Sequence, residues 1–246
     1  MRRIFFLLAC LIISVFPSCS IAGFIPKEGD LVFEVSEPSA FSEAITDATA
    51  REDSIKCDHV AIPNSERGRN HLTCDHVVIP KKERGRNNVT YDHVAIFHKE
   101  RGRNYVMEAS TGNGVVLTKW KDFVDSSVRI NGKPGLSVMR VNVDFPLSKA
   151  VARAKSFMGE EYDWSFLPDN GKMYCSELVY CSYRYEDGKP IFTERPMNFR
   201  DSKGAMPDFW TKLFQRLGEK IPEGVPGTNP NDMSKEPVLK EVHRYF

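Results

Sequence analysis

Short stretches in which apolar and polar residues alternate predict β-strands in this chain. In Gly29–Val35, the residues Leu31, Phe33 and Val35 fall on one face, as in a half-buried strand. Comparable stretches predict further strands at residues 94–98, 105–108, 115–117, 136–143 and 237–242. The chain therefore holds enough strand segments to form a sheet.

Apolar residues at helical spacing predict four helices between these strands. Ser39 is a candidate N-cap for the first helix, and Ser148 is one for the second, which Gly159 would end. The predicted helices span residues 41–49, 148–158, 174–185 and 207–217. Strands and helices in this order predict a mixed fold that contains both.

The C-terminal residues lack either pattern. Residues 218–236 are rich in Gly, Pro and Asn and show no apolar period. We therefore expect a loose tail along the surface over residues 218–246, apart from the short strand at 237–242. With residues 1–22 set aside, the length of the chain fits one domain over residues 23–246.

Residues 1–22 have the pattern of a secretory signal peptide. Arg2 and Arg3 precede an apolar run from Ile4 to Phe16, and small residues follow up to Ala22. A run of that length is too short to cross a bilayer. The alternatives are a buried N-terminal helix and a lipoprotein signal, in which Cys19 would carry the lipid and anchor the protein to a membrane. We expect an exported protein of the periplasm or cell envelope.

Composition excludes several classes of protein. The chain has 41% hydrophobic and 11% aromatic residues, so it should fold rather than remain disordered. Its 34 Lys and Arg residues nearly balance 33 Asp and Glu residues, which argues against a nucleic-acid partner. No glycine-rich phosphate loop is present, so no organic cofactor is expected.

One sequence unit is repeated three times head to tail, at residues 57–73, 74–90 and 91–107. The first two copies match at 12 of 17 positions, and the second and third at 11. Three short units are too few for a solenoid, so a tandem duplication within a β-hairpin is the better interpretation. Pro63 and Pro80 stand where the third copy has Phe97, and proline lacks the N–H that an inner strand needs. We therefore expect the third copy to be the strand and residues 57–90 to be an insertion.

The cysteines at equivalent repeat positions allow two interpretations. In an oxidising compartment, Cys57 and Cys74 could form a disulfide with each other. Together with His59 and His76 they would supply two Cys and two His ligands for a structural zinc ion, although the spacing fits no common zinc finger. This zinc site is kept as an alternative role for the insertion.

Cys175 stands where a loop meets a predicted helix, and this position suits a nucleophile because the helix dipole stabilises a thiolate there. A thiol nucleophile also needs a base, normally an imidazole, and a third group that orients it. His93 begins the strand of the third copy, and a turn near Arg101 would place Glu108 nearly opposite it on the partner strand. From the residues alone, a buried structural Cys175 with a solvated His93 is the alternative.

Five motifs follow one another over roughly residues 27–185, and together they resemble a known family. They are Gly29–Phe33, Asp92–Ile96, Glu108-Ala109, Tyr162–Phe166 and Tyr174–Val179. The ordered set resembles the YiiX/YebB-like group of circularly permuted, papain-like cysteine hydrolases of the NlpC superfamily.

The resemblance implies a fold and a site. The fold would be α+β and papain-like of the NlpC type, circularly permuted so that His precedes Cys, with an antiparallel sheet packed against helices. Cys175 would be the nucleophile, His93 the base and Glu108 the orienting residue, and Tyr174 would help to line the oxyanion site. No metal is implied at these residues.

The function expected from this site is acyl-group hydrolysis. A thiolate beside an imidazole attacks a carbonyl carbon, and water then releases the acyl-enzyme. Family membership suggests amide bonds in cell-wall peptides or acyl groups of lipids, and esters and thioesters also fit. The alternative from another class is a catalytically impaired lipid- or peptide-binding module of the same fold.

Overall fold

The computed structural model of the protein describes residues 23–36, 39–49 and 89–246. The signal peptide, Cys19 and residues 57–88 of the repeat lie outside the described residues, so the expectations about them stay predictions. No helix in the described part of the chain is long and apolar enough to span a bilayer.

The strands and helices follow one another along the chain in an irregular order. The strands are β1 Leu31–Val35, β2 Tyr91–Glu100, β3 Arg103–Ser110, β4 Gly114–Lys119, β5 Arg129–Ile130, β6 Lys133–Pro134, β7 Leu136–Val141, β8 Glu161–Tyr162, β9 Lys172–Met173, β10 Arg195–Pro196, β11 Pro226–Gly227 and β12 Leu239–Arg244. The helices are α1 Ala40–Thr49, α2 Trp120–Ser126, α3 Leu147–Ser156, α4 Cys175–Ser182, α5 Asp208–Leu217 and α6 Pro230–Met233.

The main sheet has six strands in the order β12-β7-β1-β2-β3-β4, and each neighbouring pair is antiparallel. β1 lies in the middle, although it comes first in the chain. The prediction of an α+β fold with an antiparallel sheet is therefore confirmed.

Both faces of this sheet are covered, and successive side chains of each strand point to opposite faces. On one face, Phe33 and Ile96 pack into the larger core together with residues of α3, α4 and α5. On the other face, Val32 and Phe97 pack against Trp120 and neighbouring residues of α2. The strands near the centre of the sheet are thus apolar on both sides, while polar residues occur where β1 and β2 end.

The helix starts agree with the sequence in one case and differ in another. The backbone N–H of Ser42 donates to the Ser39 hydroxyl oxygen over 3.0 Å, so the N-cap predicted for α1 is confirmed. The cap predicted at Ser148 was wrong, because α3 begins at Leu147 and follows Pro146, which makes no side-chain cap. Proline fixes its own φ and suits a helix start, which explains the shift.

The prediction of a loose tail was wrong for much of residues 218–246. The Asn229 side chain caps α6 by accepting the backbone N–H of Asp232 over 2.8 Å. Met233 and Leu239 are buried in the larger core, and β12 pairs with β7 at the edge of the sheet. β12 corresponds to the short strand expected at residues 237–242. β11 and α6 have two and four residues, so they are too short to show a sequence period.

Asp30 connects three strands at the start of β1. Its carboxylate, which is 1% exposed, accepts hydrogen bonds from two guanidinium nitrogens of Arg140 over 2.6 and 2.7 Å. It also accepts the backbone N–H of Lys27 over 2.7 Å. The carbonyl of Asp30 accepts the N–H of Phe97 over 2.8 Å. One residue therefore fixes β1 against both of its neighbours, β7 and β2.

Replacing Asp30 with asparagine should lower the free energy of unfolding by about 2–4 kcal/mol. Loss of one partner from a buried ion pair costs about 3–5 kcal/mol, and the one-third exposure of the Arg140 side chain reduces this. Asp125→Asn is the matched control, since it removes only exposed pairs with Lys121 and Arg129 and should cost much less. Urea denaturation measures both losses, and equal losses would contradict the prediction.

Candidate active site

Cys175 is the first residue of α4 and is 5% exposed. The carboxylate of Glu177 accepts the backbone N–H of Tyr174 over 3.4 Å, which closes the first turn. At the other end of α4, the guanidinium of Arg153 donates to the carbonyl of Ser182 over 2.7 Å. The cation at the end matches the helix dipole. Burial raises the pKa of Glu177 to about 8, so near pH 7 this carboxyl supports the helix start through its hydrogen bond rather than through charge.

A β-bulge turns the beginning of β2 towards Cys175. His93 pairs with Glu34 of β1, whereas Tyr91 pairs with Val35, so Asp92 is the extra residue. The carbonyl oxygen of Asp92 lies 3.9 Å from the Sγ of Cys175. Bulges bend a strand and redirect its side chains, and this one brings the strand backbone to the thiol.

His93 connects Cys175 to a carboxylate. Its Nε2 lies 2.7 Å from the Oε2 of Glu108, and the thiol of Cys175 is a hydrogen-bond partner of the same ring. The hydroxyl of Thr118 donates to the other oxygen of Glu108. The structure therefore brings together the three residues that the sequence singled out.

The pairing of His93 with Glu108 is diagonal rather than directly opposite. The turn at Arg101-Gly102 is confirmed, and Ile96 pairs with Met107, so the same register would place His93 opposite residue 110. The sequence estimate was therefore two residues out. Diagonal neighbours share a face of the sheet, and two long side chains span the extra distance.

The charges in this group favour a protonated imidazole. Burial lowers the pKa of His93, but the hydrogen bonds to Cys175 and Glu108 outweigh burial and raise the pKa well above its ordinary value. Burial raises the pKa of Glu108, but the hydrogen bond with His93, the charge of His93 and the hydrogen bond from Thr118 together outweigh burial, so the pKa ends below its ordinary value. The protonated imidazole therefore lies between an ionised carboxylate and the side chain of Cys175.

Glu34 is a second carboxylate beside His93 that the sequence reasoning missed. It pairs with His93 across β1 and β2, and burial raises its pKa to about 7, although the charge of His93 acts in the opposite direction. The available signal was its polar side chain in an otherwise apolar strand. Its position beside His93 follows only from the register of the bulge.

Helix α1 is attached to the site through Asp92. The Ser42 hydroxyl donates a short hydrogen bond to the Asp92 carboxylate. This contact joins residues 50 positions apart, and no spacing in the sequence indicates it. Ser42 and Asp92 therefore belong to the residues that sequence reasoning missed.

Tyr174 lies beside Cys175 and is buried. Its phenolic oxygen accepts the backbone N–H of Thr228 over 3.1 Å, and the Thr228 hydroxyl bonds with that of Ser176 over 3.0 Å. Burial raises the pKa of Tyr174 far above its ordinary value, so the phenol stays neutral. The segment that was expected to be loose thus forms part of the wall next to the thiol.

Two cavities meet at this group of residues. The first encloses about 640 Å³, including its open mouth, and Cys175 and Tyr174 are among its lining residues. The second encloses about 700 Å³, again with open solvent, and His93 and Glu34 line it. Substrate can therefore approach the thiol and the imidazole from different sides.

The described residues include two of the cysteines but none of the proposed zinc ligands. Among the described residues, Cys175 and Cys181 are both free. The proposed ligands Cys57, His59, Cys74 and His76 lie outside the described residues. Within the described part, no three His, Cys, Asp or Glu side chains cluster in a way that could hold a metal ion.

Comparison with known proteins gives one family. The family model described as "Permuted papain-like amidase enzyme, YaeF/YiiX, C92 family" matches residues 26–243. The protein YiiX of Escherichia coli K12 is 29% identical over 94 residues, which cover 38% of this chain. That match spans 46% of the length of YiiX.

A solved structure gives the same fold. The crystal structure of YiiX from Escherichia coli O157:H7, described as a metalloprotein, superposes with a TM-score of 0.60 at 22% identity. The superposition covers 90% of this chain and 98% of the other, and at this identity it shows the fold alone. Because the family model matches most of the chain and the fold agrees, this protein belongs to the C92 family of permuted papain-like amidases.

Proposed function

We propose that the protein is an exported thiol hydrolase that cleaves amide bonds through an acyl-enzyme on Cys175. The observation that carries the proposal is the hydrogen-bonded series of Cys175, His93 and Glu108 at the meeting point of two cavities. A structural cysteine would need neither an imidazole partner nor a carboxylate behind that imidazole.

The chemistry proceeds in two steps. The thiolate of Cys175 attacks the carbonyl carbon, and the π electrons of the carbonyl move onto oxygen. His93 then gives its proton to the leaving nitrogen as the C–N bond breaks, which leaves a thioester and a free amine. In the second step, neutral His93 takes a proton from water as the resulting hydroxide attacks the thioester carbon. The C–S bond then breaks, the carboxylic acid leaves, and the thiolate of Cys175 is restored beside protonated His93.

Glu108 and α4 support these steps in different ways. Glu108 holds the ring of His93 in place and stabilises its positive charge, and Thr118 holds Glu108. The first N–H groups of a helix have no carbonyl partner within the helix, so those at the start of α4 can stabilise the oxyanion. Tyr174 lines the wall beside them.

The export of the enzyme is a further part of the proposal. It rests on the charged, apolar and small-residue order of residues 1–22, and Cys19 is the candidate lipid anchor. The non-catalytic binding module is the competing function, and loss of Cys175 distinguishes the two.

Cys175→Ala should abolish hydrolysis of an acyl-amide library and leave the urea unfolding midpoint nearly unchanged, since the lost side chain is small. Cys181→Ala is the matched control on the same helix and should keep full activity. Iodoacetamide at pH 6 should alkylate Cys175 rapidly and Cys181 slowly, because burial raises the pKa of the Cys181 thiol to about 11. Activity retained by Cys175→Ala, or equal labelling of both thiols, would exclude the proposed enzyme.

Glu108→Gln should move the alkaline limb of the kcat/KM profile to lower pH. The charge of Glu108 and its hydrogen bond raise the pKa of His93, so their loss lowers that pKa, and the imidazolium is then lost at lower pH. Glu100→Gln on the same hairpin removes only an exposed pair with Lys155 and should leave the profile unchanged. An unchanged alkaline limb in Glu108→Gln would refute the role of Glu108.

His93→Ala should reduce kcat/KM by a factor of about 10²–10⁴, the usual size of a lost general base. His59→Ala and His76→Ala should change it little. The structure supports this choice of copy, because the backbone N–H of Phe97 donates to the carbonyl of Asp30. The first two copies have proline at the equivalent position, and proline has no N–H to donate.

Deleting residues 57–90 is a second test of whether the third copy of the repeat forms the hairpin of the candidate site. The deletion joins residue 56 to Tyr91, keeps β2 and β3 whole, and should yield a folded, active enzyme. An inactive deletion variant, or inactivity of His59→Ala, would show that the insertion is part of the site.

A further inference from the structure

A third cavity lies at the turn end of the β2–β3 hairpin, where β4 passes into α2. β4 is an edge strand of the main sheet, and its last residue, Lys119, pairs with Tyr105 of β3. The cavity encloses about 600 Å³, including open solvent, and is lined by Arg103, Asn104, Tyr105, Lys119, Trp120 and Lys121. It shares no lining residue with the two cavities of the candidate site. Because none of these described lining residues is acidic, we call this surface the cationic groove.

Two of the three cations at the cationic groove have no neighbouring carboxylate to neutralise them. Lys121 pairs with Asp125 of the same helix. Arg103 and Lys119 are exposed, and neither forms an ion pair within the part of the chain that the structure describes. Arg101 adds another exposed cation at the turn of the hairpin. Since the chain as a whole is nearly neutral, this local excess of positive charge favours an anionic partner.

The floor of the cationic groove is aromatic. Trp120 is 6% exposed, and its ring packs against that of Phe97 at a centroid distance of 5.4 Å, so the indole is held in place. Tyr105 supplies a second ring. Trp and Tyr are typical of surfaces that meet the interface of a membrane, where one part of the ring is apolar and the other is hydrated. A phospholipid offers a phosphate for the cations and a glycerol region for the rings, whereas free phosphate offers only the first.

The first described residues of the chain lie next to the cationic groove. The Tyr245 hydroxyl donates to the carbonyl of Phe24, and the ring of Tyr245 lies 6.3 Å from that of Trp120 between centroids. Cys19, the candidate lipid anchor, precedes Phe24 by five residues in the sequence, and five residues span at most about 18 Å. A lipid on Cys19 would therefore keep a bilayer close to the side of the molecule that carries the groove.

We propose that the cationic groove docks the protein on the surface of an anionic phospholipid bilayer. The guanidinium of Arg103 and the ammonium of Lys119 bind lipid phosphates, and the rings of Trp120 and Tyr105 contact the glycerol region beside them. This inference goes beyond the proposed function, because docking requires neither hydrolysis nor an occupied candidate site.

Sedimentation with sucrose-loaded vesicles tests the docking on the processed chain, residues 23–246, which has neither signal peptide nor lipid. Vesicles of equal parts phosphatidylglycerol and phosphatidylcholine should bind at least about tenfold more tightly than vesicles of phosphatidylcholine alone. NaCl at about 1 M should abolish the difference, because the Debye length falls to about 3 Å. Arg103→Gln and Lys119→Gln should each weaken binding about fivefold, the usual effect of one cation near an anionic surface.

The matched control removes the same two kinds of charge from another surface. Arg216→Gln combined with Lys220→Gln changes exposed residues near the C-terminal end of α5 and should alter vesicle binding little. Hydrogen–deuterium exchange locates the contact: residues 101–105 and 119–121 should exchange more slowly on anionic vesicles, and residues 208–217 should not. Protection at residues 208–217 without protection at the groove would contradict the proposal.

Three further outcomes would overturn the docking. They are equal binding to neutral and anionic vesicles, equal losses in the two double variants, and binding of heparin without binding to vesicles, which would assign the groove to a soluble polyanion. The Arg103→Gln, Lys119→Gln double variant should hydrolyse a soluble amide as the unchanged protein does. Since vesicle binding is measured without turnover, failure of the docking and failure of the proposed enzyme are separate results.

Discussion

The contact between the start of α4 and the bulge in β2 is the constraint on which the candidate site depends. Cys175 and His93 lie on different elements, and neither is placed correctly unless the helix end meets the strand end. Two hydrogen bonds fix the helix for this purpose: Arg153 donates to the carbonyl of Ser182, and the Tyr183 hydroxyl donates to that of Gly29 over 2.7 Å. Since Gly29 precedes Asp30, the same short segment positions the helix and the central strands.

Two carboxyl groups beside His93 have opposite electrostatic roles because their partners differ. Glu108 has Thr118 and the ring of His93 as hydrogen-bond donors, and its pKa is lowered. Glu34 is buried with less compensation, and its pKa is raised to about 7. Near neutral pH these two carboxyl groups therefore differ: Glu108 keeps its negative charge, whereas Glu34 exchanges its proton. The imidazole lies between a permanent counter-ion and a titrating one.

The sequence predicts the helices and strands that carry the site better than the contacts between them. The helix start at Cys175, the strand of His93 and the hairpin to Glu108 all follow from local pattern, and the family resemblance gives their roles. The bulge at Asp92 depends on pairing with β1, which lies far away in the chain, so no local pattern reveals it. The same holds for Ser42 on α1, and for the short elements of the C-terminal segment, whose order comes from tertiary contacts.

The reacting thiol and imidazole are far apart in the chain, since they belong to Cys175 and His93. Contacts at such separation form late in folding, because the entropy of closing the chain must be overcome first. Before the contact with His93 forms, Cys175 is a thiol without a neighbouring base, and in this respect it does not differ from Cys181. The proposed nucleophile therefore acquires its base only in the completed fold, and an unfolded chain would hold an ordinary thiol at this position.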